Sequence, residues 1–199
     1  MQNDTLELQK YIQPGKHVHL VGIGGVSMRP LGLVLKGMGL QVSGSDMNSS
    51  VSTDELIAQG IQVQIGHRGE NVEGADCVIR TAAVHNDNPE IASARALGIP
   101  VFERAQAWGV IMREYKNAIC ISGTHGKTTT TSMVAHILME AQWDPTVMIG
   151  GFLPLLQAGH RVGHGDTILL ESCEYCDSFL NFFHRFLWFF YYNMLICLC

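Results

Sequence analysis

The stretch from Ala118 to Ala141 limits the possible folds of this chain more than any other. Ala118-Ile119-Cys120-Ile121 is a short apolar run, Ser122-Gly123-Thr124-His125-Gly126 is a loop of small residues, and Lys127 to Ala141 has helix-compatible spacing. The order is therefore strand, loop, helix. Glycines let successive backbone N–H groups converge on one point, the helix N-terminus adds partial positive charge there, and Lys127 adds a full one. Such a turn suits a polyphosphate. Thr128, directly after the lysine, offers a hydroxyl where a phosphate-bound Mg²⁺ takes a hard oxygen ligand. The common spacing G-x-x-x-x-G-K-[ST] would put glycine where Ile121 stands; here it comes at Gly123, three residues before Gly126. The plainer reading is a Gly/Thr-rich turn capping an ordinary helix, but Gly-Lys-Thr between a strand and a helix favours a nucleotide.

A second glycine turn lies upstream. Lys16 to Val21 reads as a strand entering Gly22-Ile23-Gly24-Gly25-Val26-Ser27, and Met28 to Met38 carries apolar residues at helical spacing. This is the first βα turn of a Rossmann-like unit, although serine stands at the third glycine position of the dinucleotide fingerprint. The next strand, Gln41 to Ser45, ends at Asp46, where such units place a carboxylate on a ribose hydroxyl. The alternative is a turn or capping aspartate before a helix over Thr53 to Gln59. Strands at Ile61 to Ile65, Cys77 to Arg80 and Val101-Phe102 alternate with helices at Pro89 to Leu97 and Ala105 to Tyr115. That alternation predicts an α/β fold with a mostly parallel sheet. In the second unit Thr167 to Leu170 reads as a strand. Gly159 to Gly165 reads as a flexible loop, because Gly163 and Gly165 argue against a helix carrying His160 and His164 on one face.

A chain of 199 residues can bury one good core or two small ones, and 47% hydrophobic with 16% charged residues describes a soluble α/β protein. A net charge of -5 gives no electrostatic reason to expect nucleic acid. Met1 to Thr5 lacks a basic segment followed by an apolar one, so the cytoplasm is expected. The cysteines at 77, 120, 173, 176, 197 and 199 show no framework spacing and read as free thiols, most of them buried. Cys173 and Cys176 form a lone CxxC with no second pair to complete a zinc site.

The loop Gly123-Thr124-His125-Gly126-Lys127-Thr128-Thr129 resembles the nucleotide loop of the Mur ligases, the ATP-dependent amino-acid-adding enzymes of peptidoglycan synthesis. Its histidine is similar to that of the branches that add L-alanine to UDP-N-acetylmuramate or recycle muropeptides. Gly22 to Met28, Ser43 to Asp46 and Asn88-Pro89-Glu90 extend the resemblance to the family's UDP-binding domain.

The resemblance implies a Rossmann-like UDP-substrate domain over 1–115, a partial ATP-binding P-loop α/β domain over 116–182, a divergent apolar tail over 183–199, and no C-terminal amino-acid-binding domain. It implies that Gly123 to Thr129 bind ATP, that Thr128 and Glu174 hold Mg²⁺, and that Lys127 and Glu174 are catalytic. Glu174 stands in an E-x-x-E-x-x-x-S-F-L pattern beginning at Glu171, with cysteine at 173 and 176 where the family often carries aspartate. Gly22, Gly24, Gly25 and Ser27 would approach the diphosphate and Asp46 the uridine side, with the Thr81 to His85 loop closing over it. The implied reaction phosphorylates the lactyl carboxylate of UDP-N-acetylmuramate with ATP, and the amine of L-alanine attacks the acyl phosphate. The alternatives are a muropeptide-recycling ligase and a nicotinamide-dependent Rossmann protein; the second would leave Gly123 to Thr128 without a role. After Arg185 the apolar stretch has fourteen residues, short of the roughly twenty of a spanning helix, so no membrane partner is expected. A truncated reading frame is expected instead, with strand edges of the second sheet left open and the chain inactive as a ligase.

Overall fold

The computed structural model describes residues 6–123, 125–171, 186–191 and 194–198. It falls into two compact units, Met1–Ala107 and Trp108–Cys199. The sequence boundary after Tyr115 lies beyond that division, which runs inside a helix.

The first unit is a five-stranded, wholly parallel sheet. Its strands are β1 (His17–Val21), β2 (Gln41–Asp46), β3 (Gln62–Ile65), β4 (Cys77–Arg80) and β5 (Val101–Glu103), in the order β3-β2-β1-β4-β5. The connections carry α1 (Met28–Gly37), α2 (Val51–Ala58), a 3₁₀ turn (Gly69–Val72) and α3 (Pro89–Ala96). The central strand β1 is buried on both faces because helices cover both, which is why its Val18, Leu20 and Val21 are fully enclosed. Val21, Val72, Val78, Ile91 and Ala94 form one core cluster of this unit. Helix α4 (Arg104–Arg113) follows β5.

The order reverses at β1, and the crevice beyond the strand carboxyl ends there is where doubly wound sheets take ligands. The first turn is built for close approach. Gly22 has φ +82°, and the N–H groups of Gly22 and Ile23 both donate to the Ser45 carbonyl, at 2.8 and 2.9 Å, tying the loop to the end of β2.

The second unit has six strands in the order β11-β10-β6-β9-β7-β8. They are β6 (Asn117–Gly123), β7 (Thr146–Leu153), β8 (Ala158–Arg161), β9 (Thr167–Glu171), β10 (Phe186–Tyr191) and β11 (Met194–Leu198), with α5 (Lys127–Glu140) between β6 and β7. Strands β10, β6, β9 and β7 run parallel, while β8 and β11 are antiparallel at the two edges. Ala135 and Leu138 of α5 pack on Ile121, Val147, Ile149 and Leu169.

Two expectations are corrected here. Gly159 and His160 belong to β8, paired with β7, because Gly159 lets that strand approach the Ile149 and Gly151 carbonyls where a Cβ would collide. Strand β9 has no open edge, being paired by β6 on one side and β7 on the other, and β10 lies in register against β6. Among the described residues no helix is long and apolar enough to cross a membrane.

Candidate functional site

In the first unit a cavity of about 570 Å³ opens at the carboxyl ends of the strands. Gly22, Gly25, Asp46 and His85, four of the residues singled out in the sequence, line it together with His67 and Thr81. The Gly24 N–H donates to Asp46 Oδ2 at 2.9 Å, so Asp46 stiffens the glycine turn while also forming the cavity wall. The Asp46 carboxylate is not the cap of the next helix. Ser50 caps α2, in a reciprocal box with Thr53 at 3.3 and 2.7 Å. Ser27 is engaged elsewhere, its hydroxyl accepting from the Arg104 guanidinium.

Behind the cavity sits a polar cluster that sequence reasoning missed. Glu90, in the first turn of α3, is fully buried. Ser45 Oγ donates to its Oε2 at 2.6 Å, the Asn71 amide donates to its Oε1, and His67 Nδ1 lies 3.3 Å from Oε2. Burial alone would push this carboxyl up, but the His19 ring and the hydrogen bonds from Ser45 and Asn71 outweigh it and hold the group below the ordinary glutamate range. The signal available in the sequence was positional: Ser45 and His67 both lie at carboxyl ends of strands or directly after them.

In the second unit, β6 delivers the chain at Gly123 to the loop, and α5 begins at Lys127. Gly126 has φ +76°, a left-handed conformation that favours glycine, and among the described residues no side chain caps the helix. The first-turn N–H groups of α5 are thus left facing the loop, the arrangement that binds phosphate. The Lys127 ammonium donates to the Gly123 carbonyl across the loop, while His125, Thr128 and Thr129 are exposed. Thr124 and Glu174 lie outside the described residues.

The carboxylate beside Thr128 is that of Glu171, the last residue of β9. Thr128 Oγ1 donates to Glu171 Oε1 at 2.9 Å, and the Gly150 N–H donates to Oε2 at 2.8 Å. A hydroxyl and a carboxylate on the lip of a phosphate-binding loop form a hard-oxygen donor pair of the kind Mg²⁺ takes. Glu171 was overlooked because sequence spacing does not show where a strand stops, and β9 runs one residue past Leu170.

Residues 17–116 match the sequence pattern of the Mur ligase family, catalytic domain. The chain belongs to the Mur ligase family. Among the relatives of this Mur ligase chain is the UDP-N-acetylmuramate--L-alanine ligase of Clostridium botulinum, 48% identical over 168 residues, or 84% of this chain and 37% of that protein. The enzyme of the same description from Caldicellulosiruptor saccharolyticus is 49% identical over 163 residues, 82% of this chain and 36% of its own length. The chain spans a little over a third of the curated relatives it matches. In structure it resembles the UDP-N-acetylmuramate-alanine ligase of Thermotoga maritima, with TM-score 0.80 and 34% identity over 89% of this chain and 42% of that one. It also resembles the UDP-N-acetylmuramate:L-alanyl-gamma-D-glutamyl-meso-diaminopimelate ligase of Neisseria meningitides, with TM-score 0.72, 25% identity, and 81% and 55% coverage.

Proposed function

We propose that this chain carries the UDP-substrate and ATP sites of a ligase that joins L-alanine to UDP-N-acetylmuramate in peptidoglycan synthesis. The observation that carries the reading is the pairing of Thr128 with Glu171 at the mouth of the Gly123 to Lys127 loop. It supplies a phosphate cradle, a cation and a hard-oxygen pair in one place. The 48% identity to the alanine-adding ligase supports the choice of substrate.

Thr128 and Glu171 would hold Mg²⁺, whose bound charge offsets that of the nucleotide phosphates. Glu174 stays in the proposal as a further carboxylate on the same segment. The uncapped N–H groups of Lys127 to Thr129 bind and orient the phosphate tail, and Lys127 exchanges the Gly123 carbonyl for a phosphate oxygen. His125, and Thr124 before it in the sequence, would add contacts to the nucleotide. In the first unit Gly22, Gly24, Gly25 and Ser27 form the turn that admits the diphosphate of UDP-N-acetylmuramate, with Asp46 and His85 on the walls. ATP would pass its γ-phosphoryl group to the substrate carboxylate, releasing ADP, and the amine of L-alanine would then displace inorganic phosphate from the acyl phosphate. The nucleotide substrates and the buried cysteines Cys77 and Cys120, neither of them in a disulfide, suit a cytoplasmic protein.

Calorimetry tests the reading on the 199-residue chain. Binding is expected for UDP-N-acetylmuramate and for ATP with Mg²⁺, and Lys127→Ala should weaken only the ATP side. NAD bound more tightly than UDP-N-acetylmuramate, or equal ATP affinity for the Lys127→Ala chain, would overturn it.

A further inference from the structure

The buried cluster behind the first cavity fixes where protons sit. Glu90 is an acceptor only, and the single hydroxyl proton of Ser45 is committed to Glu90 Oε2 at 2.6 Å. His67 Nδ1 lies 3.0 Å from Ser45 Oγ and 3.3 Å from Glu90 Oε2. Both neighbours present lone pairs to that nitrogen, so the ring must bring the proton itself. The Nδ1 proton is therefore fixed by its two acceptors, and the tautomer of the neutral ring that fits this arrangement carries its lone pair on Nε2. Asn71 locks the arrangement from the other side, its amide donating both to Glu90 and, at 3.0 Å, to the Gly66 carbonyl that directly precedes His67. The ring is only 10% exposed, and the exposure it has is on the cavity, next to Asp46 and Met47 at the end of β2.

We propose that Glu90 is a positioning residue of the nucleotide cavity: through Ser45 it sets the tautomer of His67, which then presents Nε2 as an acceptor and selects a ligand with an N–H donor at that point. This rests on the reading of the cavity as a UDP-substrate site. The pyrimidine-dione ring of uracil carries such a donor at N3, whereas the cytosine ring has an acceptor there. A base with an acceptor at that point sets lone pair against lone pair at His67.

The experiment compares UDP, CDP and 3-methyluridine 5′-diphosphate by calorimetry on the full chain, with ring ¹⁵N NMR of His67. The expected result is the Nδ1–H tautomer in the wild type and about tenfold weaker binding of both analogues than of UDP, the loss of one hydrogen bond. Glu90→Gln should mix the tautomers and reduce the discrimination to within about threefold, with UDP binding retained. His67→Phe, at a partly exposed site, should abolish discrimination with the fold intact and covers the case in which Glu90→Gln does not fold. An Nε2–H tautomer or a doubly protonated ring in the wild type, or equal binding of UDP and its 3-methyl analogue, overturns the proposal and leaves the cavity's assignment standing. Failure of all three nucleotides to bind overturns the assignment of the cavity, and this proposal with it.

Discussion

Replacing Glu90 by alanine tests whether the buried carboxylate cluster holds the first unit together. Glu90 is fully enclosed and serves as acceptor for the Ser45 hydroxyl and the Asn71 amide. Each buried donor left without a partner costs about 1–3 kcal/mol. Asn71 retains its bond to the Gly66 carbonyl, and Ser45 can turn its hydroxyl toward His67 once that ring, released from Glu90, moves its proton to Nε2, which lowers that cost. The space vacated by the side chain adds to it. The expected loss at pH 7 is about 2–4 kcal/mol, a large fraction of the ~5–15 kcal/mol that stabilises a domain. Because the chain has two compact units, the measure is hydrogen exchange at the amides of β2 and α3 rather than a single melting curve. The pH dependence has a definite sign. The folded carboxyl is held below its ordinary value of 4.5, so its contribution is full above that value and disappears as the pH falls through the lower folded one. The difference between wild type and variant should therefore shrink in acid. A loss under about 1 kcal/mol at pH 7, or a deficit that persists unchanged at acid pH, would refute the assignment of the cluster as a structural acceptor network.

Three further outcomes are expected. Gly126→Ala places a side chain at φ +76° with no atom of the described residues within 4 Å of its Cβ, so its cost is backbone strain of roughly 1–2 kcal/mol, read as earlier exchange in α5 together with weaker ATP binding. Glu171→Gln keeps the shape but removes the charge facing Thr128, and calorimetry should find Mg²⁺-dependent ATP binding weakened about tenfold or more with metal-free binding little changed; an unchanged Mg²⁺ dependence would exclude Glu171 as a ligand. Burial pushes the Cys77 thiol up to about 12, so mass spectrometry after alkylation at pH 8 should find it unmodified in the native chain and modified in urea.

The two βα turns were legible in the sequence, since glycine spacing and a change from strand to helix periodicity are local properties of the backbone. Strand β4 begins and ends where the residues indicate, and α5 starts at Lys127 as its loop requires. Gly22 and Asp46 stood out by their places at the βα turn and the strand end, and Gly25 and His85 by the family resemblance; the four line one cavity because carboxyl ends of parallel strands converge on one crevice in a sheet of this order. What lay beyond reach were partners distant along the chain. Thr128 meets Glu171 forty-three residues later only because β9 docks beside β6. Ser45, His67 and Glu90 come from three separate elements, and nothing in their sequence neighbourhoods marks a shared proton. The apolar segment after Arg185 likewise reads as a run without a role until the strand order places β10 against β6. Sequence periodicity determined which segments become strands and helices. Only the packing of those segments decided which side chains face one another, because hydrogen bonding and charge act over a few ångströms of space and not over distance along the chain.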